Sequence, residues 1–342
     1  MDEARLQSLL DRFPSLRILV LGDYFLDRYL ILDPALAELS LETGRTAHQV
    51  VAIRNSPGAA GTVTNNLCAL GVRVSALGII GEDGMGYELL RALEANGVDT
   101  SAMIQSPERF TPTYTKPMER RPDGSEHETE RQDIKNRGAT PPELQSRLIA
   151  ALESLASQVE GIIVADQVPE EGCGVVTPAV RAALDRLAQA MPEKVVAVDS
   201  RMRIGAYRHQ IVKPNEREAW AAVHGAPPET PPTLDESAAC GLMLHGRTGR
   251  PVFLTVGDRG ILVIAAGDVT HVSAVTVSGP IDIVGAGDSA MAAITTALCA
   301  GATPVEAATI ANLVASITIQ QLGTTGTATR VQVLERYREG KP

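Results

Sequence analysis

The sequence predicts an α/β fold with a doubly wound, mostly parallel central sheet flanked by helices. Short apolar runs, typical of buried strands, alternate along the chain with longer segments of helical periodicity. Hydrophobic residues make up 44% of the sequence but aromatic residues only 3%, so we expect an aliphatic core of the kind that parallel strands need on both faces. We expect one domain over residues 1–342.

The elements follow one another in a regular order after an N-terminal docking helix over residues 4–13, whose apolar side chains share one face. The helix over 304–321 has the clearest start, since Thr303, Pro304 and Glu306 form a capping sequence. The predicted strands are 17–22, 74–80, 161–165, 195–198, 210–212, 252–256 and 261–265. The predicted helices are 62–70, 85–96, 142–157, 178–190, 216–223, 234–247, 287–300, 304–321 and 330–338.

Two stretches, 28–54 and 110–133, contain no good helical pattern. The second alternates polar and apolar positions around a turn signal at Pro122, Asp123 and Gly124. We predict that both stretches leave the main sheet and form a small β-sheet that acts as a lid. Because exposed lid strands carry unpaired edges that proteins tend to cover, we also predict a homodimer formed partly through the lid.

Charge and composition exclude several classes of protein. The formal net charge is -10 and the pI about 5.2, whereas general nucleic-acid binders are more often basic. The sequence has no run of ~18 apolar residues for a membrane span and no signal-peptide pattern after Met1, so we expect a cytoplasmic protein. We expect the cysteines to be reduced thiols; they are Cys68, Cys173, Cys240 and Cys299.

The segment Asp282–Ser289 (DIVGAGDS) precedes an Ala-rich helical stretch and carries the sharpest chemical pattern. Small residues before the helix allow the backbone amides of residues 285–288 to converge on one anion at the positive end of the helix dipole. A carboxylate there, Asp288, can accept the proton of an attacking hydroxyl. The pattern alone is equally consistent with a tight glycine turn that Asp288 caps.

The same segment resembles the C-terminal signature of the PfkB, or ribokinase-like, carbohydrate kinases, and the resemblance extends over about residues 16–335. It implies the ribokinase-like fold and ATP-dependent phosphorylation of a sugar hydroxyl. By this resemblance Asp288 is the base, and Gly285, Ala286 and Gly287 supply the anion hole. It also implies that Asp282 helps to hold a monovalent cation such as K⁺.

Further motifs match the nucleotide side of that family. In the segment 213–218, Asn215 and Glu218 lie one helical turn apart; alone they indicate a helix cap, but the family pattern implies a Mg²⁺ site beside ATP. The resemblance also implies nucleotide-binding roles for a turn and for the end of the chain. These residues are Thr255, Gly257, Gly260, Asn312 and Gly323, the last within the loop 323–326.

The acceptor side most resembles the heptose-7-phosphate kinases within the family. Two acids four residues apart, Asp23 and Asp27, could reach a polyol, and the string around them implies that Asp27 binds the sugar. Arg201 is a further cation that could bind a substrate phosphate. Other candidates for substrate contact by resemblance are Gly58, Thr62, Lys116, Arg131 and Asp166.

The acceptor half also departs from the family pattern. Ala59 replaces a glycine and Thr62 an asparagine, and the methyl group of Ala59 is expected to enter space that the sugar normally takes. A catalytically idle relative that binds a nucleotide or sugar phosphate therefore stays an alternative. A nicotinamide dehydrogenase is excluded because no G-x-G-x-x-G follows the first strand, and no H-x-G-H motif of a fused nucleotidyltransferase is present.

Overall fold

The computed structural model describes residues 1–121, 123–323 and 325–340. The strands are β1 Arg17–Gly22, β2 Tyr24–Leu32, β3 Glu38–Leu39, β4 Thr46–Ala47, β5 Val50–Ala59, β6 Arg73–Leu77, β7 Ile79–Gly81, β8 Ile104–Ser106, β9 Thr113–Arg120, β10 Glu126–Glu128, β11 Gln132–Ile134, β12 Gly161–Asp166, β13 Val195–Ser200, β14 Ile211–Val212, β15 Val252–Thr255, β16 Ile261–Ala265 and β17 Asp268–Val272. The helices are α1 Glu3–Arg12, α2 Ala60–Ala69, α3 Gly84–Ala95, α4 Pro142–Ala156, α5 Pro178–Ala190, α6 Glu216–His224, α7 Leu234–Thr248, α8 Ala286–Cys299, α9 Pro304–Thr318 and α10 Arg330–Glu339.

The central sheet has eight strands in the order β17-β16-β15-β14-β13-β12-β1-β6. The strands from β6 to β15 are parallel, and β16 and β17 complete one edge as antiparallel strands. Alternate residues of β1 enter two different apolar clusters: Ile18 and Val20 lie in one, and Leu19 and Leu21 in the other. Each face of the sheet is therefore covered by helices, as the aliphatic composition predicts, and the predicted fold class is confirmed.

The predicted helices are all present within a few residues of their bounds, but two strand predictions and one helix end need correction. The predicted strand 74–80 is two strands, because β6 pairs with β1 whereas β7 pairs with β8. The interruption is at Gly78, where an added Cβ would lie 2.9 Å from the Gly22 carbonyl oxygen. The exposed edge strand β17 was not predicted, since its five residues DVTHV form no apolar run. The helix α9 ends at Thr318 rather than at residue 321.

A second sheet, of five strands, stands beside the central one; we call it the small sheet. It consists of β10, β9, β2 and β5 in that order, with β11 also paired to β9. Its strands reach beyond the predicted bounds 28–54, because residues Tyr24–Leu26 pair with Pro57–Ala59 at its base. Arg121 and Ser125 pair across the predicted turn, of which Pro122 lies outside the described residues.

Asp23 joins β1 to the loop after β12. Its buried carboxylate accepts hydrogen bonds from the backbone amides of Gln167 (2.8 Å), Val168 (3.1 Å) and Val175 (2.7 Å). Burial raises the pKa of Asp23 to about 6, although these amide bonds act in the opposite direction. Both carboxylate oxygens thus have backbone partners and the residue is 3% exposed, so the prediction that Asp23 reaches a polyol is not supported. Among the described residues, no helix has both the length and the apolar composition to cross a bilayer.

Candidate active site

The N-terminus of α8 lies beside the carboxyl ends of the parallel strands β13 and β14. Gly285 precedes the helix with a φ of 82°, a left-handed backbone conformation that glycine adopts without strain. Thr62 from α2 and Thr325 from the C-terminal loop flank it, since a Cβ added to Gly285 would lie 3.3 Å and 3.4 Å from their Cγ2 atoms. Three segments that are distant in sequence therefore meet at the start of this helix.

The amides at the start of α8 are largely uncommitted. In the described part of the chain, no side chain caps this helix, and the amides of Gly285, Gly287 and Asp288 have no acceptor. The Ala286 amide, in contrast, donates to the Ile283 carbonyl at 3.2 Å. Of the three residues predicted to form the anion hole, Ala286 therefore has its amide occupied, whereas the amides of Gly285 and Gly287 are unpaired among the described residues; the anion hole itself stays a prediction.

Asp288 lies half-buried on the first turn of α8. Burial raises the pKa of this carboxyl group to about 7, and the nearby Asp199 adds to the shift, whereas Lys213 and Arg201 oppose it. The predicted alternative that its side chain caps the helix is wrong, because α8 has no such hydrogen bond among the described residues. The carboxylate is therefore available to accept a proton near neutral pH.

Lys213 is a candidate site residue for which the sequence predicted no role of its own. Its ammonium group is buried and lies 2.9 Å from the Asp199 carboxylate, and it is the one described group within 4 Å of a Cβ added to Gly287, at 3.6 Å. The sequence contained a signal for it, because Lys213 follows the buried strand β14 directly. Ligand-binding residues of parallel sheets commonly lie at such positions.

Asn215 and Glu218 form a complete capping box on α6. The Asn215 side chain accepts from the Glu218 amide at 2.9 Å, and the Glu218 carboxylate accepts from the Asn215 amide at 2.8 Å. Burial raises the pKa of Glu218 to about 7, and Asp199 contributes in the same direction. One carboxylate oxygen of Glu218 has no partner among the described residues. The predicted Mg²⁺ role thus coexists with the cap and stays a prediction.

The Thr255–Gly260 turn lies next to this cap. Asn215 and Thr255 form an isolated parallel bridge, in which the Thr255 amide donates to the Pro214 carbonyl at 2.9 Å. Gly257 has a positive φ and open space around its Cα. Position 260 requires glycine for a structural reason, because a Cβ there would collide with the Val272 carbonyl oxygen. Thr255 and Gly257 remain predicted nucleotide-site residues, and Gly260 shapes the turn.

Three other predicted ligand residues have local partners. The Asn312 amide donates to the carbonyls of Val272 and Ser273, both at 3.0 Å, so its N–H groups anchor the end of β17 and not a nucleotide. Asp282 accepts from the Val284 amide at 3.0 Å, which fixes the turn before α8; its cation role stays a prediction. Gly323 has a φ of 71° in open space, and the following residue, Thr324, lies outside the described residues.

Asp27 and Lys116, both predicted to bind substrate, are paired with each other on one face of the small sheet. The Lys116 ammonium lies 2.9 Å from one Asp27 oxygen and 4.8 Å above the Tyr29 ring. The other Asp27 oxygen packs against Gly58, where any Cβ would collide with it. Gly58 is thus needed for Asp27 to occupy its position, and Lys116 is partly neutralised before any ligand binds.

The Arg131 side chain also has partners, whereas the Arg201 guanidinium has no hydrogen-bond or ion-pair partner among the described residues. The Arg131 guanidinium pairs with Asp133 at 2.7 Å and lies 4.8 Å from the Tyr114 ring centre. Arg201 follows β13 directly, is exposed and acts electrostatically on both Asp288 and Tyr114. Of these two cations, Arg201 is the one with its hydrogen-bond donors free for an anion.

The predicted contact between Asp166 and substrate is not supported. Asp166 is 1% exposed, and its oxygens accept from Ser200 (2.7 Å), Tyr207 (3.0 Å) and Arg203 (2.8 Å). A buried carboxylate with this many partners stabilises the carboxyl ends of β12 and β13. The sequence could not distinguish this role, because the partners come from the separate segment 200–207.

Ala59 joins the small sheet to α2 in a strained conformation. Its φ of 53° and ψ of -115° lie in a region that costs a residue with a side chain on the order of 1–3 kcal/mol. We expect Ala59→Gly to stabilise the protein by about 1 kcal/mol in urea unfolding, since glycine's extra entropy in the unfolded chain offsets only part of the released strain. Ala60→Gly, in ordinary helical backbone, should instead destabilise it by about 1 kcal/mol. Equal effects of the two substitutions would contradict this account.

Known proteins share both the sequence pattern and the fold. A model of the pfkB family carbohydrate kinases matches residues 27–330. The bifunctional protein HldE of Trichlorobacter lovleyi is 30% identical over 98% of this chain, which spans 65% of that protein; HldE of Caulobacter vibrioides is 29% identical over the whole chain, which spans 68% of it. The chain thus spans about two thirds of the length of these curated relatives.

Solved structures agree on the architecture. Phosphofructokinase-2 from Escherichia coli in complex with potassium superposes with a TM-score of 0.70 at 18% identity, covering 95% of this chain and 99% of that one. Arabidopsis thaliana ribokinase complexed with ribose and ATP gives 0.66 at 18% identity, covering 94% and 98%. The ribokinase-like fold is therefore confirmed, and the family match over residues 27–330 shows that the chain belongs to the pfkB family of carbohydrate kinases.

Proposed function

We propose that this protein transfers the γ-phosphoryl group of ATP to a hydroxyl group of a sugar phosphate. The observation that carries the proposal is the half-buried Asp288, with a pKa raised by burial to about 7, beside the uncommitted amides of Gly287 and Asp288. A base and an anion-binding group within one helical turn are the two parts that phosphoryl transfer needs from a protein.

In the proposed reaction, the oxygen of the acceptor hydroxyl forms a bond to the γ-phosphorus. Asp288 accepts the proton that this hydroxyl loses. The bond from that phosphorus to the β,γ-bridging oxygen breaks, and its electron pair leaves with ADP. The amides of Gly285, Gly287 and Asp288 donate to the oxygens of the transferring group, whose charge they stabilise. The helix dipole of α8 favours the same negative charge.

The residues near the proposed phosphates fit a Mg²⁺ ion held through water. Glu218 has a spare oxygen, and Asn215 lies one turn away on the same cap. Among the described residues, no group of three His, Cys, Asp or Glu side chains forms a complete metal cage. Such a sparse set suits Mg²⁺, which retains waters and binds substrate phosphates. When bound, the ion would shield the phosphate charge.

The preference for a phosphorylated acceptor rests on the charges around Asp27. Lys116 pairs with Asp27, and Arg131 lies over the ring of Tyr114, which is opposite Asp27 in the sheet. Arg201 acts electrostatically on Tyr114, and its side chain has no hydrogen-bond or ion-pair partner among the described residues. An exposed guanidinium binds a phosphate oxygen pair in bidentate geometry. The similarity to proteins named HldE supports an acceptor of the heptose 7-phosphate type, which the sequence pattern also implies.

A panel of sugars and sugar monophosphates, assayed for ADP release with Mg²⁺-ATP, tests this function. We expect turnover with at least one phosphorylated acceptor, and Arg201→Met should raise the KM for that acceptor roughly 10- to 100-fold, the effect of losing a charged hydrogen bond. The matched control Arg186→Met removes an exposed arginine on α5 and should change little. Nucleotide binding without transfer to any acceptor would favour the catalytically idle alternative and overturn the proposal.

The open edge of the small sheet supports a homodimer. β5 forms this edge, and it exposes Val50, Val51 and Ile53 by 45%, 42% and 52%. An apolar strand edge of this kind is a pairing surface that proteins usually cover. We propose that a second copy covers it, and light scattering that returns the mass of a single chain would contradict this.

A further inference from the structure

The buried pair of Asp199 and Lys213 lies next to the proposed phosphoryl site at the start of α8. Asp199 is in β13 and Lys213 directly follows the neighbouring parallel strand β14, in which Val212 pairs with Val198. The Lys213 amide also donates to the Val198 carbonyl at 2.9 Å. Two adjacent strands therefore fix the backbone of both residues, and the side chains meet at 2.9 Å.

The Lys213 ammonium has bonding capacity that its partner does not use. An ammonium group has three N–H donors, and Asp199 is its one partner among the described residues. The residue is 3% exposed, so bulk water does not readily satisfy the remaining donors. Leaving buried charged donors without acceptors is costly, which indicates that a ligand completes this site.

The position of the ammonium identifies the kind of ligand. It faces Gly287, where a Cβ would lie 3.6 Å from Nζ, and the Gly287 amide is itself uncommitted. The Asp199 carboxylate, 2.9 Å away, stabilises the charged form of the ammonium group. A fixed positive charge and free backbone amides at one point suit a phosphoryl oxygen.

We propose that Lys213 binds an oxygen of the transferring phosphoryl group and that Asp199 is the positioning residue that holds its ammonium against Gly287. The proposal rests on the proposed kinase function and adds to the amide set a charged donor in a buried position. A positive charge there attracts a phosphoryl oxygen more strongly than the same charge in water, because the buried surroundings screen it less. Asp199 keeps the ammonium directed at the helix start before the nucleotide arrives.

Two variants separate this role from simple stabilisation. Lys213→Met leaves Asp199 buried without a partner, and that substitution alone could unfold the protein. The double variant Asp199→Asn and Lys213→Met removes both charges together, which proteins often tolerate. We expect the double variant to fold. Its kcat should be about 10²–10³-fold lower than that of the native chain, the loss typical of removing one hydrogen-bond donor to the transition state. Full activity in a folded double variant overturns the proposal.

The pH dependence of kcat/KM tests whether the pair lies beside Asp288. The charged groups that act on Asp288 are Asp199, Lys213, Arg201 and Asp27. Asp199→Asn should therefore move the acid limb to lower pH, because it removes a negative neighbour. Lys213→Met, measured if it folds, should move the limb to higher pH. If both variants moved the acid limb in the same direction, or if Asp199→Asn did not move it, the placement of this pair beside Asp288 would be contradicted.

Nucleotide binding distinguishes failure of this proposal from failure of the kinase function. By calorimetry, the native chain should bind a non-hydrolysable ATP analogue with an imido-linked γ-phosphate more tightly than ADP, and the double variant should lose most of that preference. Lys194→Met, which removes an ammonium at the opposite end of β13, should retain it. An unchanged preference in the double variant overturns the role of Lys213 even where no acceptor is phosphorylated.

Discussion

Replacing Asp288 with asparagine is expected to lower kcat by about 10²–10⁴-fold, the usual contribution of a general base. Asparagine keeps the size of the side chain but cannot accept the proton of the acceptor hydroxyl. Single-turnover transfer from ATP to the acceptor identified in the panel measures the effect. ATP affinity should not weaken, because the substitution removes a negative charge beside the phosphates.

A matched control separates this effect from a change in helix stability. Asp235 is an exposed carboxylate on the first turn of α7, as Asp288 is on the first turn of α8, but it lies outside the proposed site. Asp235→Asn should leave kcat unchanged. Turnover that survives in Asp288→Asn, with the fold intact by circular dichroism, would remove Asp288 from the mechanism.

The pH dependence of kcat/KM should show an acid limb with an apparent pKa near 7. Burial and the Asp199 charge raise the pKa of Asp288 to about 7, against the opposing charges of Lys213 and Arg201. The ionised form is the active base, so below this pH the rate should fall about tenfold per unit, or about 100-fold at pH 5. An acceptor whose own phosphate does not titrate in this range, such as a sulfate analogue, is needed for the measurement.

A limb near pH 4, the ordinary range of an aspartate, would show that Asp288 is better hydrated than its half-buried position suggests. The Glu218→Gln variant provides the control, because the pKa of Glu218 is also raised by burial to about 7. If the limb persists in Glu218→Gln, it belongs to Asp288. If it disappears, Glu218 is the group that titrates.

The fold could be predicted from the sequence because its signals are local. Each helix carries its own periodicity or cap, as at Thr303 and Glu306, where the structure forms the predicted capping box. The buried strands are continuous aliphatic runs. The incorrect predictions fall where tertiary contacts determine the strand bounds. A strand is interrupted at Gly78, which lies close to Gly22, and the edge strand β17 has no continuous apolar run that would predict it.

The candidate site was predictable in its backbone and less so in its side-chain partners. The glycine-rich turn determines where α8 begins, and its sequence alone indicates this. No spacing rule reveals that Asp166 meets Tyr207 or that Lys116 neutralises Asp27, because these pairs join segments tens of residues apart. Similarly, the occupied amide of Ala286 depends on the local course of the chain at Ile283.

The passage from β5 into α2 has a mechanical consequence. Ala59 ends the strand and Ala60 begins the helix, with no loop between them, and two residues later Thr62 packs against Gly285. A displacement of β5 would therefore be passed through Ala59 and Ala60 to the contact between Thr62 and the first turn of α8. This short segment connects the strand that packs Gly58 against Asp27 to the unpaired amides at the start of α8.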